Sequence, residues 1–195
     1  MPDSKENKMR LSALKTQKTN EHEKVQIFID GSNLYHGLKN DCSNTMLDFT
    51  LFAGMLCRGR TLIRSTYYIG TIDATRNKDQ AQGQQKFLSK LRYYPYLDVK
   101  TRPLTYKKGG AVEKGVDILI ATDMLTGALR NCYDTAVLVS GDGDFAPVLD
   151  EIKRAGKQVE NATFSSCRSD ALVNASDLFI ELTKEDLKDC FIKTK

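Results

Sequence analysis

The chain has 195 residues, a formal net charge of +4 and a hydrophobic content of 41%; that is one domain, long enough to bury a core between a sheet and its helices, and basic enough to suit a polyanionic partner without requiring one. No stretch approaches the ~20 apolar residues of a membrane span, and residues 1–23 lack the apolar stretch of a signal peptide. The five cysteines, Cys42, Cys57, Cys132, Cys167 and Cys190, form no C-x-x-C pair and are accompanied by only two histidines, which argues against structural zinc and for free thiols in a cytoplasmic protein.

Residues 1–24 are rich in Lys, Glu, Asn, Ser and Thr, with Met9, Leu11 and Leu14 as their notable apolar side chains. They read as a disordered polar tail ahead of a single domain over residues 25–195. From Val25 onward strands alternate with helices. Residues 25–29 form a buried strand, and Gly31, Ser32 and Asn33 open a short helix that Ser32 or Asn33 can cap. Residues 47–57 have helical spacing, 62–69 are β-branched and aromatic, and 75–92 form a surface helix packing through Phe87, Leu88 and Leu91. A strand over 96–101 leads to a loop at residues 107–110 and then to the longest apolar helix, 115–130. Residues 136–140 are a strand, 145–155 a helix, and 156–160 a short strand after a glycine stop. A helical turn at 170–174, an edge strand at 178–182 and a terminal helix at 184–192 complete the chain. This alternation implies right-handed crossovers and an α/β fold with a central, mostly parallel sheet flanked by helices.

Four aspartates fall where these strands and helices meet loops. Asp30 closes the first strand, Asp117 lies in the first turn of the long apolar helix, and Asp142 and Asp144 follow the strand at 136–140. A parallel sheet collects the C-terminal ends of its strands on one edge, so these carboxylates can converge. Two unit charges about 4 Å apart repel by roughly 1 kcal/mol in water and roughly 4 at an effective dielectric of 20. A hard cation relieves that repulsion. Oxygen-only ligands favour Mg2+ or Mn2+ over zinc or copper. Asp123, six residues after Asp117, is turned away from it and is a weak candidate. Ser140 is better placed to orient Asp142 than to act as a nucleophile.

Three ordered motifs carry a resemblance. They are Phe28-Ile29-Asp30-Gly31-Ser32-Asn33, then Glu113-Lys114-Gly115-Val116-Asp117 leading into Asp123, and Ser140-Gly141-Asp142-Gly143-Asp144-Phe145. Over residues 25–182 the chain resembles NYN-domain proteins of the PIN-like nuclease superfamily, particularly the LabA-like branch. The resemblance implies a three-layer, PIN-like (Rossmann-like) domain with a central parallel sheet. It also implies a divalent-metal site formed by Asp30, Asp117, Asp142 and Asp144, with Asn33 beside them and RNA as substrate. The expected activity is a Mg2+- or Mn2+-dependent ribonuclease that hydrolyses single-stranded RNA, the four acids being catalytic and metal-binding. The alternative is a non-catalytic RNA-binding or regulatory scaffold that keeps the acidic pocket.

Substrate contacts are expected from Asn33, Ser140 and Lys114, and from Arg102, Lys107 and Lys108 in the basic, aromatic stretch at residues 100–110 that precedes the Asp117 helix. Arg58, Arg60 and Arg64 make a second cationic patch, and Arg76 with Lys78 a third. A haloacid-dehalogenase phosphatase needs an acid at position 32, where this chain has Ser32. A response-regulator receiver and a P-loop lack their signatures here. The residues leave the oligomeric state open and give no reason to expect a membrane partner.

Overall fold

The structure, a computed structural model, describes residues 21–107, 110–112 and 115–192, with the side chains of residues 106, 107 and 110–112 outside that description. Eight strands are present: β1 (Lys24–Asp30), β2 (Thr61–Thr71), β3 (Leu97–Pro103), β4 (Thr105–Lys107), β5 (Gly110–Val112), β6 (Thr135–Val139), β7 (Gln158–Phe164) and β8 (Leu178–Leu182). Six α-helices connect them: α1 (Gly31–Gly37), α2 (Phe49–Cys57), α3 (Lys78–Leu91), α4 (Val116–Leu129), α5 (Ala146–Arg154) and α6 (Asp170–Ala175). The main sheet has the order β3-β2-β1-β6-β7-β8, and each of its neighbouring pairs is parallel. β1 and β6 are therefore central, and the chain reverses direction of travel across the sheet between them.

β1 alternates strictly. Val25, Ile27 and Ile29 pack with Leu34, Phe52, Leu56, Leu88, Leu91 and Phe164 on one side of the sheet. Phe28 packs with Val116, Ile120, Met124, Leu138, Leu149 and Leu172 on the other. Two cores on opposite faces of one sheet make the three-layer sandwich, and burial on both faces is why β6 reads Thr-Ala-Val-Leu-Val without polar alternation. Among the described residues no helix is long and apolar enough to cross a membrane.

Several boundaries differ from the sequence reading. Lys107 and Gly110, the two ends of the expected loop, pair across the antiparallel strands β4 and β5, and Lys108 and Gly109 between them lie outside the described residues. β7 runs seven residues, well beyond residue 160. Residues 184–190 form successive turns, not a helix: Thr183 and Asp186 bond each other's groups, and Phe191 bridges antiparallel to Leu47, fixing the segment in a bent path. The tail expected over residues 1–24 lies outside the described residues up to residue 20. Lys24 already belongs to β1, and Glu23 is ion-paired to Arg60.

That ion pair anchors the N-terminal end of the sheet. Arg60, 8% exposed, meets Glu160, 5% exposed, through two bonds of 2.8 and 2.9 Å. Arg58 also bonds Glu160, and Glu23 accepts from Arg60 at 2.9 Å. Arg58 and Arg60 thus serve a buried structural cluster at the base of the sheet, opposite the edge where Asp30 lies, and the expected second cationic patch is dispersed. Glu160→Ala leaves two arginines without their main partner and is expected to cost about 3–5 kcal/mol, which lowers Tm by roughly 10 °C. Glu23→Ala, at a part-exposed carboxylate, is expected to cost about 1 kcal/mol or less. Thermal unfolding of both variants checks this, and equal losses would contradict it.

Candidate active site at the acidic edge

Asp30 occupies the last position of β1 and is 5% exposed. A carboxylate buried there needs donors, and the chain supplies three. The Asn33 backbone N–H donates to Oδ1 at 3.0 Å, the Asn33 side-chain amide to Oδ2 at 3.2 Å, and the Ser140 hydroxyl to Oδ2 at 3.0 Å. Asp30 is therefore itself the N-cap of α1, the role the sequence reading gave to Ser32 or Asn33. Asn33 then turns its amide oxygen across the sheet to accept from the Gly141 N–H at 3.0 Å.

The loop after β6 continues this network. Ser140, 1% exposed, accepts from the Asp142 N–H at 3.1 Å while donating to Asp30. Asp142 in turn accepts from the Asp144 N–H at 2.9 Å, capping the 3-10 turn Gly143–Phe145. Gly141 is required for closeness: a Cβ there would stand 1.7 Å from the Cys167 carbonyl oxygen. Asn161, 0% exposed, lies beneath and donates to the carbonyls of Ser140 at 2.8 Å and Leu138 at 3.2 Å. Asn161 is not among the candidates drawn from the sequence: with Glu160 beside it and Thr163 two residues on, nothing in the run Gln-Val-Glu-Asn-Ala-Thr-Phe of β7 singles it out. Its Oδ1 accepts no hydrogen bond from a described residue.

Asp117 arrives from the opposite side of this edge. Gly115 holds φ at +84°, a left-handed conformation that permits the sharp entry into α4. Asp117 in its first turn is exposed at the rim. Its carboxyl is nevertheless pushed above the ordinary 3.8, first by desolvation and then by Asp30, Asp142 and Asp144. The Asp30 carboxyl is also raised: desolvation leads, the Asn33 and Ser140 hydrogen bonds oppose it, and Asp142 adds to it. The structure therefore brings Asp30, Asn33, Asp117, Ser140, Asp142 and Asp144 to one edge. Ser140 is buried and bonded on both sides, so it shapes the site from behind.

The remaining candidates are spread out. Arg102 is exposed near the C-terminal end of β3. Lys108, Lys114 and the side chain of Lys107 lie outside the described residues. Asp123 accepts from the Tyr68 hydroxyl at 2.8 Å and from Lys100 at 2.6 Å, which ties it to β2 and β3 and not to the other acids.

Among the described residues no three His, Cys, Asp or Glu groups stand close enough to form a ready metal-ligand set. The donor chemistry still fits a hard divalent cation. The four carboxylates share one field, and none of them is ion-paired to a described Lys or Arg, whereas Glu160, Asp98 and Asp123 each are. Asp30, with three hydrogen bonds accepted, retains a free lone-pair direction.

The family model described as the NYN domain matches residues 24–183. A crystal structure of a protein of unknown function from Vibrio parahaemolyticus RIMD 2210633 has the same fold, with a TM-score of 0.68 and 23% identity over 87% of this chain and 98% of that one. No curated protein matches the sequence.

The raised Asp117 carboxyl has a consequence for stability. An acid whose folded pKa exceeds its unfolded value favours the fold most when protonated; that contribution is full below the unfolded value and is lost as pH rises through the folded one. Asp117→Asn is therefore expected to raise the Tm of the metal-free protein at pH 7, and its advantage over wild type is expected to shrink as pH falls toward 4. Paired melting curves at several pH values test this. A variant less stable than wild type at pH 7 would contradict it.

Proposed function

The chain belongs to the NYN domain family of the PIN-like nuclease superfamily, and from that membership we propose that it is a Mg2+- or Mn2+-dependent ribonuclease acting on single-stranded RNA. The observation that carries the reading is a set of four carboxylates at the C-terminal edge of a parallel sheet, sharing one field without an ion-pair partner among the described residues. Open α/β sheets bind their ligands at that edge, where strand order reverses, and here the reversal lies between β1, which ends at Asp30, and β6, which ends at Val139 just before Ser140.

Asp30 would be the fixed member of the site, since three donors hold it in place. Asp117, Asp142 and Asp144 would be the adjustable members, each reaching the edge from a turn or helix start. A bound divalent ion supplies Lewis-acid stabilisation of charge developing on the scissile phosphate. The Asn33 amide is committed to Asp30 and Gly141, so its part is to keep the first strand and the 140–145 loop in register. Ser140 is buried and doubly bonded, which argues against a serine nucleophile and supports the reading of a hydrolysis in which water attacks the phosphate. RNA is the polyanion that the family membership favours, and the net charge of +4 is compatible with it.

The open spacing of the acids favours a second reading, an RNA-binding or regulatory scaffold without catalysis. One experiment separates the two. Purified protein is incubated with labelled unstructured RNA in Mn2+, Mg2+ or chelator. Cleavage is expected with either ion and absent in chelator, and Asp30→Asn or Asp142→Asn is expected to reduce it at least about 100-fold. Saturating metal is expected to raise the wild-type Tm by about 5 °C or more, and Asp142→Asn to lose most of that rise. RNA binding without cleavage in any metal would establish the scaffold, and equal metal stabilisation of wild type and Asp142→Asn would overturn the acid assignment.

A further inference from the structure

The sheet is covered unevenly. On the face that packs against α4, α5 and α6, the apolar cluster draws on β1, β2, β6 and β7 but on no residue of β3. That leaves a groove of about 180 Å³ whose floor is Gln26, Thr66 and Tyr68 and whose walls are β3 and the C-terminal half of α4. Every side chain that lines it is polar, aromatic-hydroxylic or small, which is unlike a seat for an apolar helix or a protein core. Arg64, Lys100 and Arg130 line it, and Arg102 follows Lys100 by two residues on the same face of β3. Its two acids are already committed: Asp98 to Arg64 at 2.9 Å, and Asp123 to Lys100 at 2.6 Å. Arg102 and Arg130 are exposed and form no ion pair among the described residues.

Register connects this groove to the acidic edge. Asp30 is level with Tyr68, and Tyr68 with Lys100. These three residues form one row across β1, β2 and β3. Asp123 lies six residues after Asp117, about 9 Å down the same helix. Along β2 the groove is lined from Arg64 to Tyr68, four residues or about 13 Å, and Arg102, opposite Gly70, stands one same-face position beyond its upper end. Across its upper end the Lys100–Asp123 pair links β3 to α4, with the Tyr68 hydroxyl joining the same carboxylate oxygen.

We propose that a single strand of RNA held at the acidic edge continues down this groove between α4 and β3, its phosphates meeting Arg102, Lys100 and Arg130, with a phosphate displacing Asp123 from Lys100. The inference rests on the ribonuclease reading of that edge. The chemistry is that of backbone recognition: four cations against two carboxylates, no apolar pocket for a base, and a trough bridged at its upper end by the exchangeable Lys100–Asp123 pair. It accounts for the polar face of β2 and β3, which a packed α/β sandwich would otherwise fill with apolar residues. The displaced Asp123 retains the Tyr68 hydroxyl as a donor, so exchange of Lys100 leaves no bare buried charge.

The test measures binding of a labelled 12-nucleotide oligouridylate by fluorescence anisotropy in chelator across a series of salt concentrations, so that cleavage does not interfere. Lys100→Ala is expected to weaken binding about fivefold and to make the slope of log affinity against log salt shallower by about 0.7. Arg102→Ala combined with Arg130→Ala is expected to flatten it by about 1.4, while Arg102→Lys keeps the wild-type slope. Asp123→Asn is expected to act in the opposite direction, tightening binding about threefold by releasing Lys100. Lys86→Ala and Lys90→Ala, on α3 across the sheet, serve as controls without effect. Unchanged affinity in the Lys100 and Asp123 variants overturns the groove, as does weakening by both or an absence of wild-type binding. A wild type that cleaves RNA with those variants binding normally overturns the groove alone. A wild type that binds through these residues but never cleaves overturns the ribonuclease reading alone.

Discussion

Asp30 sits almost out of solvent at the end of the central strand, and the site around it is organised by the need to satisfy that carboxylate. An ionised group so placed is tolerable only with donors aimed at it. Asn33 provides two from the first turn of α1 and Ser140 one from the end of β6. Because Asn33 also accepts from Gly141, and Ser140 also accepts from Asp142, the donors that hold Asp30 position the loop carrying Asp142 and Asp144. One buried acid thereby sets the relative placement of two strand ends, a helix start and a tight turn.

The two ends of the sheet handle charge differently. At the base, Glu160 is matched by Arg60 and Arg58, and the result is a compensated cluster that holds β7, α2 and the entry to β1 together. At the opposite edge lie four carboxylates, none of them ion-paired to a described Lys or Arg. Desolvation and mutual repulsion raise the Asp30 and Asp117 carboxyls. That asymmetry supports the proposal of a cation site at the edge, since charge left unmatched there is charge a ligand could match.

Much of this was legible in the residues, for identifiable reasons. The run Val25-Gln26-Ile27-Phe28-Ile29 is apolar at nearly every position because both faces of β1 are covered, and Asp30 breaks it at the point where the site begins. Asp142 and Asp144 stand out through their flanking glycines, and Gly141 proves necessary because Cys167 crosses directly above it. Other features depend on partners distant in sequence. Arg58 and Arg60 look like a surface patch until Glu160, a hundred residues later, draws them inward. Asn161 carries no local signal, yet it is fully buried beneath Ser140 and bonds its carbonyl. The segment 184–192 has helical spacing, but pairing of Phe191 with Leu47 overrides it, a tertiary constraint that local propensity does not contain.

Occupancy of the acidic edge by a divalent ion is the claim on which the chemistry turns, and anomalous diffraction from crystals grown with Mn2+ tests it directly. The account predicts a Mn2+ peak at about 2.1 Å from a carboxylate oxygen of Asp30 and of at least one of Asp117, Asp142 and Asp144, with octahedral oxygen ligands. A fully loaded crystal with no peak at that edge, or with its ion bound only elsewhere on the chain, would contradict it.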